Sequence, residues 1–244
     1  MNYFVPIIKN MLPQNHTRYG DESARPIILC DFDGTISLKD VTDLLLSHFG
    51  NAACDELEAQ WEAGIIGSQE CMSKQIALMN ATQEQLDAVL AQVTIDASFK
   101  DFVKYAKDKN FAIHVVSDGL DYAIHTILKH NQLDFLPIFA NRLLHDHNHS
   151  WKLEFPYAND GCIKASGNCK CQHLKLQRQH FNTVYYVGDG ASDYCISNRV
   201  DLVFAKDKLI QYCLQNAIRH YPITYFADII PLLESIQPIR YTNQ

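Results

Sequence analysis

The sequence lacks a basic block, a long apolar run and a secretory signal, and each absence removes a class of function. Lys and Arg number 21 against 28 Asp and Glu, which leaves a formal charge of −7. An acidic chain without a cluster of cations is a poor partner for nucleic acid or for an anionic membrane. No stretch approaches the roughly 18 apolar residues of a membrane-crossing helix. The first ten residues break their short apolar run with Pro6 and Lys9 and offer no small-residue cleavage site. Disulfide staples are not needed either. The chain has eight cysteines, but 244 residues with 47% hydrophobic side chains can bury a sizeable core. A cytoplasmic chain with reduced thiols is expected. Its length suits one large domain, or one domain carrying a modest insertion.

What is there begins with residues 1–24, which hold Pro6, Pro13 and Gly20 and show no clear period, and read as an N-terminal arm. Pro26 to Asp31 is a short apolar run ending on an acid, the pattern of a buried central strand. Residues 38–95 then read as helical. Val41, Leu44, Leu45 and Phe49 keep a helical spacing that Gly50 can stop. Ser68 is a candidate cap for a helix through Met79, and Thr82 with Gln85 matches a capping box. Strand–helix alternation resumes beyond this block. Strands are expected at 112–116, 137–140, 183–187 and 201–205, with helices between them and a hairpin around the polar stretch from His145 to Ser150. The expected fold is α/β: a Rossmann-like parallel sheet with helices on both faces and a small helical cap inserted after strand 1. The core comprises 25–37 and 96–244, and the cap 38–95.

In such a sheet a ligand binds beyond the carboxyl ends of the strands. Asp31, Ser117 and Asp189 sit at three of those ends. Asp31-Phe32-Asp33-Gly34-Thr35 places two carboxylates two residues apart. One carboxylate can attack phosphorus, and the second can protonate a leaving alkoxide and later activate water. Gly34 allows a positive φ or a close backbone approach. The plain alternative is a surface turn with two solvated acids. Ser117-Asp118-Gly119 offers a hydroxyl and backbone N–H groups at an expected helix start, a ready phosphate site; the alternative is a simple N-cap. Gly188-Asp189-Gly190-Ala191-Ser192-Asp193 supplies hard oxygen ligands suited to Mg²⁺, or else a capped glycine turn. Transfer of a phosphoryl group also needs a cation. Lys164, Lys170 and Lys175 are the candidates between the second and third motifs, and spacing alone does not choose among them.

Taken in order and spacing, these segments resemble the haloacid dehalogenase superfamily of phosphatases, over roughly Pro26 to Ala205. The resemblance implies Asp31 as nucleophile, Asp33 as general acid and base, and Ser117 with Lys170 on the phosphoryl oxygens, Gly119 beside them. It implies Mg²⁺ on Asp31, the Asp33 backbone carbonyl and Asp189, with Asp193 in support. The helical block would be the cap of the phosphoserine-phosphatase-like subgroup. Two subfamilies look nearest. The Cys-Lys pair at Lys170, Leu120-Asp121 and the segment from Phe204 to Lys208 look like the methionine-salvage phosphatase acting on 2-hydroxy-3-keto-5-methylthiopentenyl-1-phosphate. Ser117-Asp118 and the segment from Gly188 to Cys195 look like phosphoethanolamine/phosphocholine phosphatases, where an Asp at the position of Asp118 helps read the amine. Phosphoserine phosphatases use a cap Arg on the substrate carboxylate, and residues 38–95 contain no Arg. Asp40 sits where that type places an acid near the substrate, and it also suits a helix N-cap before Val41.

A small-molecule phosphate monoester is thus the expected partner, with no nucleic acid and no membrane, for a monomer or homodimer. Two other classes remain: a receiver-like signalling module phosphorylated on Asp31, and a catalytically silent protein on the same fold. The cap and Asp33 speak against the first, and the full set of motifs against the second. Cys162, Cys169, Cys171 and His173 have the residue types of a zinc site, but C-x-C spacing is unusual for one, and small packing residues are the plainer reading. His145, His147 and His149 fit a solvated hairpin tip.

Overall fold

The structure, a computed structural model, describes residues 25–145, 149–162 and 164–236. The expected arm, residues 1–24, and His147 lie outside the described residues.

Seven strands form one sheet: β1 (Ile27–Cys30), β2 (Ala112–Leu120), β3 (Ile138–His145), β4 (Trp151–Glu154), β5 (Val184–Gly188), β6 (Leu202–Ala205) and β7 (His220–Pro222). Their order is β4-β3-β2-β1-β5-β6-β7. Every pairing is parallel except β3 with β4, the expected hairpin. β1 is central and fully buried, and its side chains serve both faces. Ile28 and Cys30 enter the larger hydrophobic cluster, while Ile27 and Leu29 enter a second one with Leu174, Val184 and Tyr186. A strand covered on both faces needs apolar residues at every position, which explains the continuous run before Asp31.

Four helices follow β1: α1 (Val41–Phe49), α2 (Ala53–Glu62), α3 (Ser68–Ala77) and α4 (Gln83–Leu90). Gly50 ends α1, and Thr82 and Gln85 form the capping box of α4. Ser68 does not cap α3. Gly67 holds that position, and the Ser68 hydroxyl donates instead to Asp118 of the core at 2.7 Å. The insert shares the core of the sheet domain, because Val41, Leu45, Ile76, Met79, Leu86 and Leu90 belong to the larger cluster. Polar ties add to this. Trp151 Nε1 donates to the Ala81 carbonyl at 3.0 Å, and the Tyr122 hydroxyl donates to Asp87 at 2.5 Å.

The remaining helices are α5 (Phe99–Asp108), α6 (Asp121–His130), α7 (Lys170–Gln177), α8 (Tyr194–Ser197), α9 (Asp207–Gln215) and α10 (Ile229–Ile236). In α5 the buried residues Phe99, Phe102, Val103 and Ala106 follow the spacing of one helical face. Phe226 packs edge-on and tilted against that face, with ring centroids 4.6 Å from Phe99 and 5.2 Å from Phe102. The buried Asp96 carboxylate accepts from the Phe226 N–H at 3.0 Å and locks the C-terminal segment there.

One further local expectation is corrected. Ser117-Asp118-Gly119 does not open a helix: β2 runs through it to Leu120, and α6 starts at Asp121 without a side-chain cap. Pairing of β2 with β3 is irregular between Val116 and Leu120, so the strand leaves its regular register at this tripeptide. Lys170 is the first residue of α7.

Phe226→Ala removes a fully buried ring that joins α5 to the C-terminal segment. It should destabilise the protein by ~3–5 kcal/mol, read from urea unfolding followed by circular dichroism.

Candidate active site

The parallel registers bring the motifs together. Cys30 lies opposite Val115 of β2 and Val187 of β5, so Asp31 emerges between the ends of those two strands. A cavity of about 470 Å³ opens there. Asp31, Asp33, Ser117, Asp118, Gly119 and Asp189 line it from the core, and Asp40, Asp43, Glu58 and Trp61 line it from the insert.

Its floor is an ion-pair cluster. The Lys170 ammonium lies 2.7 Å from Asp31 Oδ2, 2.5 Å from Asp193 Oδ1 and 2.9 Å from Ser192 Oγ. All three charged side chains are buried. Burial alone would lower the Lys170 pKa, but Asp193 and Asp31 outweigh it and hold the ammonium well above its ordinary range. Burial also works against the Asp193 charge. Lys170 and the Tyr186 hydroxyl overcome it and hold this carboxyl below its usual value. Asp193 Oδ2 accepts from the N–H groups of Asp189 and Gly190, so nearly all its acceptor capacity is taken within the protein. Its geometry is that of a brace.

Asp31 and Asp189 are less satisfied. Burial pushes Asp31 well up despite Lys170. Burial, with the Asp193 charge next, raises Asp189 to about 6. Carboxylate oxygens of Asp31, Asp189 and Asp193 lie within 4.8 Å of one another. Three carboxylates share one ammonium, leaving a formal excess of two negative charges in a buried space. That excess suits a bound cation, and the all-oxygen donor set suits a hard one. The Asp33 side chain is not in this group. Its Oδ1 accepts from the Val41 N–H at 2.8 Å, and its Oδ2 accepts from Ser117 Oγ at 3.3 Å. Burial raises Asp33 to about 6.

Gly34 meets both conditions that a glycine satisfies. Its φ is +68°, and a Cβ built there would fall 2.5 Å from Asp189 Oδ2. Ser117 Oγ also accepts from the Gly119 N–H at 2.9 Å, so hydroxyl and amide converge beside Asp33. Asp118 lines the cavity but is already engaged: Ser68 Oγ donates to it at 2.7 Å, the Asn168 N–H at 2.8 Å and Asn141 Nδ2 at 3.1 Å. It joins the insert to the segment that carries Lys170. Asp40 is both N-cap and cavity wall: its carboxylate accepts from the Asp43 N–H at 2.9 Å.

Several residues escaped the sequence reading. Thr35 Oγ1 donates to Asp189 Oδ1 at 3.0 Å, Ser192 sits between Lys170 and Asp31, and the Tyr186 hydroxyl braces Asp193. Thr35 and Ser192 lie inside the motifs, which was their one signal. Asn168 Nδ2 donates to the carbonyls of Ser117 and Phe139, both at 2.7 Å, and so ties the Lys170 segment to β2 and β3. Nothing local marks that role. His173 is buried. Its Nε2 meets Asn168 Oδ1 at 2.6 Å, and its ring packs against Phe139 and Tyr157.

Comparison with known proteins agrees with this arrangement. The family described as "Putative Phosphatase" matches residues 26–230. A 2-hydroxy-3-keto-5-methylthiopentenyl-1-phosphate phosphatase of Bacillus velezensis is 27% identical over 218 residues, covering 88% of this chain and 92% of that protein. The protein of the same name in Geobacillus thermodenitrificans is 27% identical, covering 87% and 97%. Among solved structures, a haloacid-dehalogenase-family hydrolase of Salmonella enterica serovar Typhi superposes with a TM-score of 0.69 at 19% identity, covering 88% of this chain and 72% of that one. A phosphoserine phosphatase solved as a phospho-aspartyl intermediate analogue gives 0.65 at 19%, covering 88% and 100%. The last two show the fold.

Gly34→Ala should force the Asp189 carboxylate off its seat and strain the loop. Divalent-cation affinity should fall at least tenfold, about 1.4 kcal/mol, by isothermal titration calorimetry, with folding retained.

Proposed function

As a member of the Putative Phosphatase family, this chain is a phosphatase of the haloacid dehalogenase superfamily that acts on a phosphate monoester, and we propose that it works through an aspartyl-phosphate formed on Asp31 with Mg²⁺ bound. The observation that carries this reading is the buried Lys170 ammonium 2.7 Å from Asp31, with Asp33 and its raised pKa lining the same cavity. Asp31 and Asp189 would hold Mg²⁺ with Asp193 behind them, and the resemblance adds the Asp33 carbonyl. When bound, the ion offsets the excess carboxylate charge and draws charge from the phosphoryl oxygens.

The chain's own residues then divide the work. The Asp31 carboxylate attacks phosphorus, forming an acyl phosphate as the bond to the leaving oxygen breaks. Lys170, Ser117 Oγ and the Gly119 N–H hold the phosphoryl oxygens. Asp33, protonated, gives its proton to the departing alkoxide. Now ionised, it takes a proton from the water that attacks the phosphorus and frees Asp31. A carboxyl pushed up to about 6 keeps a share of protonated molecules near neutrality, which an ordinary Asp does not.

For the leaving group, we favour a methionine-salvage-type sugar-like phosphate. The support is the activity for which the bacterial relatives are named, which match along 87–88% of the chain, together with Trp61, Cys71 and Met72, soft groups on the insert wall that suit a thioether. One observation favours a second reading, an amine such as phosphoethanolamine or phosphocholine. The same wall carries Asp40, Asp43 and Glu58 and no Lys or Arg. Glu58 is held there by Gln75 Nε2 at 3.1 Å, beside the Trp61 ring. An acid beside an indole face attracts an ammonium group.

A panel of salvage, amine and phosphoserine esters with Mg²⁺ tests the assignment. Wild type should turn over one ester class preferentially, and Asp31→Asn should reduce release to background. Unchanged release by Asp31→Asn would sink the nucleophile. If the amine reading holds, Glu58→Gln raises KM for the amine esters alone. An equal effect on all esters would count against it.

Asp33→Asn should slow alkyl phosphates by about 100-fold or more, the usual scale of general acid catalysis. For the formation of the intermediate, p-nitrophenyl phosphate should suffer much less, because its leaving group needs no proton. Burst kinetics separate the two steps, and equal losses would remove Asp33 from the acid role.

A further inference from the structure

Lys206 is a buried lysine to which the phosphoryl chemistry gives no task. It stands between β6 and α9, directly after the buried run Leu202–Ala205. Its ammonium donates to the main-chain carbonyl of Thr35 at 3.0 Å, across 171 positions of sequence. Among the described residues it forms no ion pair. One neutral carbonyl compensates a buried ammonium poorly, and an apolar side chain would serve packing as well. A costly charge kept in such a place points to a task beyond packing.

The bonds around it show what that task is. The Lys206 N–H donates to the Gly188 carbonyl at 2.9 Å, and the Leu209 N–H donates to the Asp189 carbonyl at 2.7 Å. The turn from Lys206 to Leu209 thus grips the main chain that carries Asp189. Asp207, within this turn, has a φ of +40°, which a residue other than glycine keeps only where its surroundings impose it. From this gripped turn the Lys206 side chain reaches the loop after β1. Thr35 is buried there, and its hydroxyl donates to Asp189 Oδ1 at 3.0 Å. Asp189 Oδ2 lies beside Gly34, so close that a Cβ there would stand 2.5 Å away. One oxygen of Asp189 is committed to Thr35, which leaves the other for a cation.

We propose that Lys206 is a positioning residue of the cation site: its ammonium fixes the Thr35 carbonyl, and the Thr35 hydroxyl then sets the Asp189 carboxylate toward the ion. This deepens the reading of Asp31 and Asp189 as the Mg²⁺ site and rests on it. Groups that hydrogen-bond to a metal-binding carboxylate orient it and so govern affinity. Charge and geometry act in opposite directions here. A nearby ammonium repels a divalent cation, whereas a carboxylate already held in place takes one up without reordering. Removing the ammonium therefore weakens Mg²⁺ binding if Lys206 positions Asp189, and strengthens it if charge is all that Lys206 contributes.

Calorimetric titration of Mg²⁺ into the full chain decides between the two. Lys206→Met should remain folded, by circular dichroism, and its Kd for Mg²⁺ should rise about tenfold or more. If Lys206→Met does not fold, Lys206→Gln, which also removes the charge, gives the measurement, and the Kd should again rise. Thr35→Val removes the hydroxyl and keeps the carbonyl, and it should weaken Mg²⁺ to a similar extent. The double variant should lose little more than either single one, because both act through the same contact to Asp189. Tighter or unchanged Mg²⁺ binding in a folded Lys206 variant would overturn the proposal and leave the Mg²⁺ site standing. Losses that simply add in the double variant would do the same. Wild type that binds no Mg²⁺ would overturn the metal reading together with this one.

Discussion

The Lys170 ammonium, buried between Asp31 and Asp193, is the interaction on which the rest of the site depends. A lone buried charge is costly. Removing one partner from such a pair typically costs about 3–5 kcal/mol, because it strands the other. The cluster therefore survives only if the surrounding structure supplies hydrogen bonds to every member. It does so by recruiting distant segments: Tyr186 from β5, Ser192 from the turn after it, and the backbone of Asp189 and Gly190. The fold brings these groups together, and their satisfaction in turn fixes the end of β5 against β1.

Around this centre the carboxylates are sorted by their partners. Asp193 is saturated and held ionised, so it braces. Asp31, buried, and Asp189, half-buried, have fewer donors, which makes them sensitive to any cation that enters. Asp33 turns aside to Ser117 and Val41 and acquires a raised pKa of its own. Four acids within one small site are thus set to different states by burial, neighbouring charge and hydrogen bonding. The insert adds a further layer, since Ser68 reaches across to Asp118 and so couples the cavity wall to the Asn168–Lys170 segment.

Much of the fold was legible in the sequence because its signals are local. A continuous apolar run marks a strand buried on both faces, and Gly50 and the Thr82–Gln85 box mark helix ends without reference to anything distant. Legibility failed where a side chain had a long-range option. Ser68 looked like a cap, yet its hydroxyl reaches Asp118, fifty positions away. Ser117-Asp118-Gly119 looked like a helix start, yet pairing with β3 carries the strand through it. The short strand β7 and the tyrosine and asparagines that support the site carry no motif at all.

The sequence by itself determined the candidate groups and their order: Asp31, Asp33, Ser117 and Asp189 by their place in strand and turn patterns, and Lys170 by resemblance. It could do so because strand ends and turn residues follow from local periodicity and backbone freedom. Only the tertiary structure decided what state each group is in and what it can reach. Charge state depends on burial and on partners more than a hundred residues away, as Thr35 on Asp189 and Ser192 on Asp31 show. His173 shows the same: it stands beside the cysteines in sequence, but packing sets its ring against Phe139 and Tyr157.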